Sequence, residues 1–189
     1  MTPPARINDD VLLDRLTDVF RREGFEGASL SRIAEATGLK RASLYHRFPE
    51  GKDQMAAAVL KRVGERFADD VLAPLGEDAP IASRIRKTGA RLKRFYENGA
   101  APCLLEALSL GQTPALYDTL LADALQAWID AFARVAKESG LRAPAAQRNA
   151  EDAVARIQGA LILARASGNA GAFERAVNEL ETMLTADRV

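Results

Sequence analysis

The chain contains one cysteine and one histidine, and it has no net charge: 26 Lys and Arg balance 26 Asp and Glu across 189 residues. A lone cysteine excludes an intrachain disulfide framework and any zinc site built from several thiolates. The lone histidine, His46, has no acid or thiol neighbour at metal-ligand spacing and no carboxylate nearby to orient it as a base. There is no nucleophile–base pair and no Gly-rich phosphate loop; the acidic pair Asp69-Asp70 lacks the third acid of a DDxxD-like motif. Neither a cofactor nor a catalytic residue is therefore expected. No apolar run approaches bilayer-spanning length, and no apolar stretch precedes a cleavage site near the N-terminus. The expectation is a cytoplasmic protein without membrane contact.

Strand patterns, internal repeats and low-complexity segments are also missing; what remains is helical periodicity. With 48% apolar residues the chain can fill one or two cores. Asn8 is placed to cap a helix over residues 9–23, with Asp9 and Asp10 complementing its dipole and Gly24 ending it. After residue 52 the spacing predicts helices over 52–72, 81–97, 102–110, 114–139, 144–166 and 169–187. Pro102, Pro114 and Pro144 suit first turns, where a missing N–H costs nothing, and the Pro/Gly/Asp-rich stretch 73–80 marks a break. The expected fold is all-α with about nine helices: a three-helix N-terminal domain over residues 1–51 and a larger helical bundle over 52–189.

The most informative stretch is residues 24–52, GFEGASLSRIAEATGLKRASLYHRFPEGK. Ser29 stands where an N-cap belongs, Leu30, Ile33 and Ala34 share a face, and Gly38 follows as a C′ residue free to turn left-handed. In the next helix Leu44 and Phe48 lie four apart and face inward, leaving Arg41, Ser43, His46 and Arg47 outside, and Pro49 ends it. Two short helices across a tight turn, with polar and basic groups along the second, suit the DNA major groove. Charge is distributed accordingly: residues 31–62 hold seven Lys or Arg against three acids, whereas residues 63 onward hold fifteen against seventeen. The local excess lies where phosphate attraction is needed.

The pattern Phe20, Gly24-Phe25, Gly27, Ser29, Ile33-Ala34, Gly38, Ser43-Leu44-Tyr45, Phe48 and Lys52 resembles the helix–turn–helix domain of TetR/AcrR-family transcriptional regulators over roughly residues 9–62. Beyond residue 62 the similarity is one of helix number and length, with Pro102-Cys103-Leu104-Leu105 and the stretch 159–165 similar to family members. The resemblance implies a double-stranded DNA operator as partner. It places Arg41 and Ser43 near base edges, and Ser29, Ser31, Tyr45, His46 and Lys52 on phosphates, with Lys40 beside them at the start of the reading helix. Two departures stand out. Lys40 occupies a position where Ser or Thr often caps that helix, and the run 48–52 is one residue longer than the commoner spacing.

For the bundle, the resemblance implies an effector-binding and dimerisation domain. Tyr96, Cys103, Leu104, Leu108, Tyr117, Leu121, Trp128, Phe132 and Gln158 are the residues to search for a small, largely apolar effector, although helical spacing alone makes many of them core. Cys103 follows Pro102 at a helix start, where a thiol can be activated, yet a buried free cysteine is more commonly a small hydrophobe. Arg84, Lys87, Arg91 and Arg94 read as a solvated helix face rather than a second nucleic-acid surface. Val154, Ile157, Leu161 and Ala164 form one stripe and Phe173, Val177, Leu180 and Leu184 another, expected at a four-helix homodimer interface. The implied function is a ligand-responsive repressor released from a palindromic operator. The alternative class is a helical dimeric enzyme or ligand carrier that does not bind DNA.

Overall fold

The computed structural model describes residues 7–109 and 115–186. Among them are ten α-helices and no strand: α1 (Asp9–Gly27), α2 (Leu30–Thr37), α3 (Arg41–Arg47), α4 (Lys52–Phe67), α5 (Ile81–Phe95), α6 (Leu104–Ser109), α7 (Ala115–Glu138), α8 (Ala143–Ser167), α9 (Gly171–Asn178) and α10 (Leu180–Leu184). The single helix expected over 169–187 is thus two, separated at Glu179. Beyond α4 the chain passes through a π-helical turn, Ala68–Leu72, and then a tighter turn, Ala73–Gly76, which occupies the first half of the break expected over 73–80.

Local chemistry sets the helix ends. Asn8 Oδ1 accepts the Asp10 N–H at 3.0 Å, so one of the orphan donors of α1 is satisfied. Gly24, at φ +66° and ψ −176°, breaks the helical path inside the α1 span, and a further turn carries the chain to Gly27. The absence of a side chain at Gly24 also matters sterically: a Cβ there would lie 3.1 Å from the Ala107 carbonyl oxygen. Ser29 caps α2, and Gly38 closes it in the left-handed conformation at φ +70°. α3 stops at Arg47, ahead of Phe48 and Pro49.

The chain forms two compact units. One comprises Met1–Val63 and Leu104–Leu121; the other comprises Gly64–Cys103 and Ala122–Val189. The first unit therefore runs past the division expected at residue 51, because Met55, Ala56, Val59 and Leu60 of α4 are buried with Leu12, Leu16, Phe20, Ile33 and Leu44 in one core. It also takes in α6, which periodicity had assigned to the larger bundle. Leu104 and Leu108, one helical turn apart, join the same core rather than lining the bundle.

The second unit is a helical bundle filled by Ile85, Leu92, Tyr96, Trp128, Phe132, Ile157, Leu161 and Phe173. Here two expectations are corrected. Val154, Ile157, Leu161, Ala164, Phe173, Val177, Leu180 and Leu184 are all buried within the single chain, at 5% exposure or less, so they serve chiefly its own core. An apolar stripe must be covered, and here the chain's own helices cover it. The large apolar residues left outside on α8 are Ile162 and Leu163, 47% and 59% exposed. The second correction concerns Arg84, which is only 9% exposed and donates from Nη2 to Glu138 Oε2 at 2.5 Å. Nearby, Lys87 Nζ lies 2.5 Å from Glu77 Oε2 and holds that carboxyl below its ordinary pKa, and Arg91 donates to the Asp70 carbonyl at 3.0 Å. These ties hold Arg84, Lys87 and Arg91 to partners within the chain, while Lys87 and Arg94 stay exposed as a solvated face requires.

Candidate nucleic-acid interface and bundle interior

The reading unit is built from α2 and α3. Leu44 is fully buried, which fixes the inner face of α3, and its neighbours Arg41, Ser43, Tyr45 and His46 are left exposed on the outer face. Tyr45 is 45% exposed, a large fraction for an aromatic ring, and it passes close to Gly51, where an added Cβ would lie 3.5 Å from Tyr45 Cε1. Ser29 and Ser31 are exposed at the start of α2, and Lys40 at the start of α3. Arg41 Nη2 donates to Ser31 Oγ at 2.5 Å, so the two helix starts carry one joined polar group. Ser29 Oγ accepts the Arg32 N–H at 3.3 Å as the α2 cap and keeps its own O–H to donate.

The local basic excess is not all available to phosphate. Lys52, expected there, instead donates from Nζ to the Phe25 carbonyl at 2.8 Å, with the ammonium 4.3 Å from the Phe25 ring centroid. A partly buried cation takes the carbonyl and the ring face offered beside it, so Lys52 is engaged within the chain in this structure. Arg47 is likewise turned inward, donating to the Ile7 carbonyl at 3.1 Å with Asp9 at 3.3 Å. Arg62 bridges to Asp10 at 2.6 Å and Asp14 at 3.3 Å, tying α4 to α1, and the Asp10 hydrogen bond raises its pKa. Arg32 pairs with Glu23 at 2.5 Å.

The bundle interior carries an aromatic cluster. Phe67 packs edge-on against Trp128 at 4.7 Å and Phe95 at 5.2 Å, with Tyr96 at 6.4 Å; Trp128 meets Phe132 at 6.0 Å, and Tyr96 meets Phe173 at 6.1 Å. Against it sits a small polar group. Cys103 Sγ accepts from Tyr96 O–H at 3.6 Å and from Gln158 Nε2 at 3.3 Å. Tyr96, Cys103, Trp128, Phe132 and Gln158 of the effector expectation therefore belong to this unit, while Leu104, Leu108 and Leu121 belong to the other. The Tyr117 side chain lies outside the described residues. Cys103 is buried, consistent with its reading as a small hydrophobe.

The family profile described as "Bacterial regulatory proteins, tetR family" matches residues 12–59, and one described as "Transcriptional regulator LmrA/YxaF-like, C-terminal domain" matches residues 79–179. The chain belongs to the TetR family. The Bacillus subtilis regulator YxaF is 23% identical over 133 residues, covering 68% of this chain and 70% of that protein. The Escherichia coli regulator RutR is 33% identical over 119 residues, covering 63% of this chain and 55% of that protein. Among solved structures, a TetR regulator from Legionella pneumophila superposes with a TM-score of 0.83 at 19% identity, covering 96% of this chain and 98% of that one. The protein is a ligand-responsive, DNA-binding transcriptional regulator and not an enzyme.

In this TetR-family member the start of the reading helix is a weak joint. Lys40 occupies the N-cap of α3 and makes no side-chain cap hydrogen bond. Lys40→Ser is expected to stabilise the first unit by about 1 kcal/mol by restoring that bond. The same change removes an exposed cation, so the slope of log affinity for DNA against log salt should become shallower by about 1 per subunit. Chemical denaturation and anisotropy on a fixed duplex read the two effects. A cap gain without a shallower slope would remove Lys40 from the phosphate contacts.

Proposed function

We propose that the protein acts in the cytoplasm as a homodimeric repressor that leaves a palindromic operator when a small, largely apolar effector enters the bundle. The observation that carries the DNA half of this reading is the geometry of α3, with Leu44 buried beneath exposed Arg41, Ser43, Tyr45 and His46. A guanidinium at the start of a groove-bound helix can bond guanine O6 and N7 together, Ser43 can reach a base or a phosphate, and Ser29, Ser31, Tyr45 and His46 suit phosphate oxygens. A twofold dimer presents two such helices, which matches an inverted repeat with half-sites about one helical turn apart.

The surface proposed for the second copy is the outer side of α8 and α9. Ala155, Gly159, Ile162 and Ala166 recur at helical spacing on the exposed side of α8. Beside them runs a groove of about 320 Å³ lined by Gly159, Ala160, Leu163, Ala172 and Ala176 together with the charged Arg156, Arg175 and Glu179. Small residues let a partner helix approach closely, and Ile162 and Leu163 supply the apolar area. An effector that binds one of two conformations more tightly lowers DNA affinity by the same coupling free energy.

The test is binding to the DNA upstream of its own gene, titrated with salt. Lys40 and Arg41 are the exposed cations of the reading surface, so a dimer places two to four charges on phosphate. The slope of log affinity against log salt should then be roughly −2 to −4. Equal affinity for an unrelated duplex at every salt concentration would refute the operator reading.

A further inference from the structure

Among the described residues, four buried polar atoms of the bundle have no hydrogen-bond partner, Arg84 Nε, Thr88 Oγ1, Trp128 Nε1 and Gln158 Oε1, and the last two, the indole N–H and the amide oxygen, belong to the aromatic cluster and the polar group set against it. Trp128 is 1% exposed, so its N–H is fully withdrawn from water. Leaving such an atom unmade is costly in a native interior and calls for a reason. The two atoms are of opposite kinds, one a donor and the other an acceptor. Gln158 reaches Cys103 through Nε2, which orients its amide and leaves Oε1 as the open end. Phe67 lies 4.7 Å from the Trp128 ring and 6.4 Å from the Tyr96 ring, and Tyr96 shares Cys103 with Gln158. Phe67 thus packs on the indole ring and neighbours the tyrosine that shares Cys103 with the amide.

Resting on the reading of this bundle as the effector site, we infer that the effector is a neutral aromatic molecule with a hydrogen-bond acceptor at one end and a donor at the other. The acceptor takes the Trp128 N–H, the donor meets Gln158 Oε1, and the ring occupies the place of Phe67. Phe67 is the ring suited to give way, because it is half-buried whereas Trp128, Phe132 and Phe173 are buried. It also ends α4 immediately before the π-helical turn Ala68–Leu72, a type of turn that often marks functional sites. Neutrality follows from these neighbours: Phe67, Trp128, Phe132, Gln158 and Phe173 carry no ionisable group, so an ionised ligand would enter without a counter-ion.

The full chain can be titrated calorimetrically, at mildly acidic pH, with three compounds of similar size. These are para-hydroxyacetophenone, which has both groups, para-methoxyacetophenone, which lacks the donor, and para-ethylphenol, which lacks the carbonyl acceptor. The first should bind roughly tenfold more tightly than each of the others. Trp128 is the only tryptophan in the chain, so its emission should shift to the red as the N–H is engaged. Trp128→Phe should erase the advantage over para-ethylphenol, and Gln158→Leu the advantage over para-methoxyacetophenone. Phe67→Ala should tighten binding of para-hydroxyacetophenone severalfold. Equal affinities for the three compounds, or no binding by any of them, would overturn the inference, and the wild-type series alone decides this if a variant fails to fold. Operator binding is measured on the same protein without ligand: its presence alongside a flat ligand series defeats this inference alone, and its absence defeats the regulator reading beneath it.

Discussion

Arg41→Ala is expected to weaken operator binding by roughly 30-fold to 10⁴-fold, the largest effect of any single surface change. A bidentate arginine–guanine contact is worth about 1–3 kcal/mol, and a twofold dimer loses it in both half-sites, for about 2–6 kcal/mol in all. The substitution also removes the 2.5 Å bond to Ser31 Oγ, which joins the starts of α2 and α3. Because Arg41 is exposed, folding should be almost untouched, and the melting temperature of the variant should match the parent. Arg41→Lys separates charge from geometry: it keeps phosphate attraction but cannot form the planar fork, so specificity should fall while non-specific binding persists. An Arg41→Ala affinity within twofold of the parent would remove Arg41 from the base contacts.

Phe20→Ala is expected to destabilise the first unit by about 3–5 kcal/mol, a large part of the roughly 5–15 kcal/mol that holds a typical domain together. Phe20 is fully buried and stacks on Phe25 with ring centroids 6.4 Å apart and planes 8° from parallel. Its neighbours come from separate parts of the chain, with Ile33 on α2, Leu44 on α3, Met55 on α4 and Leu104 on α6 all in the same core. A cavity at their meeting point therefore weakens the seat of the reading helix as well as α1. For a unit of this size the melting midpoint should fall by roughly 12–40 °C. A loss below about 1 kcal/mol in denaturant titration would mean the core collapses around the gap.

The reading unit was legible in the sequence because its signals are local. Asn8, Ser29 and Gly38 declare helix ends within a few residues of the groups they satisfy, and Leu44 with Phe48 declares the inner face of α3 by spacing alone. What the sequence hid depends on partners far along the chain. Lys52 looked available to phosphate until folding brought Phe25 beside it, and Arg84 looked solvated until Glu138 was placed against it. Periodicity shows that a face is buried but not what covers it. That is why the stripe of Val154, Ile157 and Leu161 is core within one chain, and why Leu104 and Leu108 serve the first unit. The unpartnered Trp128 and Gln158 atoms are likewise invisible to spacing, since hydrogen-bond satisfaction is a property of the packed interior.

The central claim is that two copies of α3 read DNA together, and selection of bound duplexes from a random-sequence pool tests it most directly. Enrichment of an inverted repeat with half-sites about one helical turn apart is expected. Each half-site should carry a guanine whose preference disappears with Arg41→Ala. Enrichment of no sequence, or of a single asymmetric site bound equally well by Arg41→Ala, would contradict it.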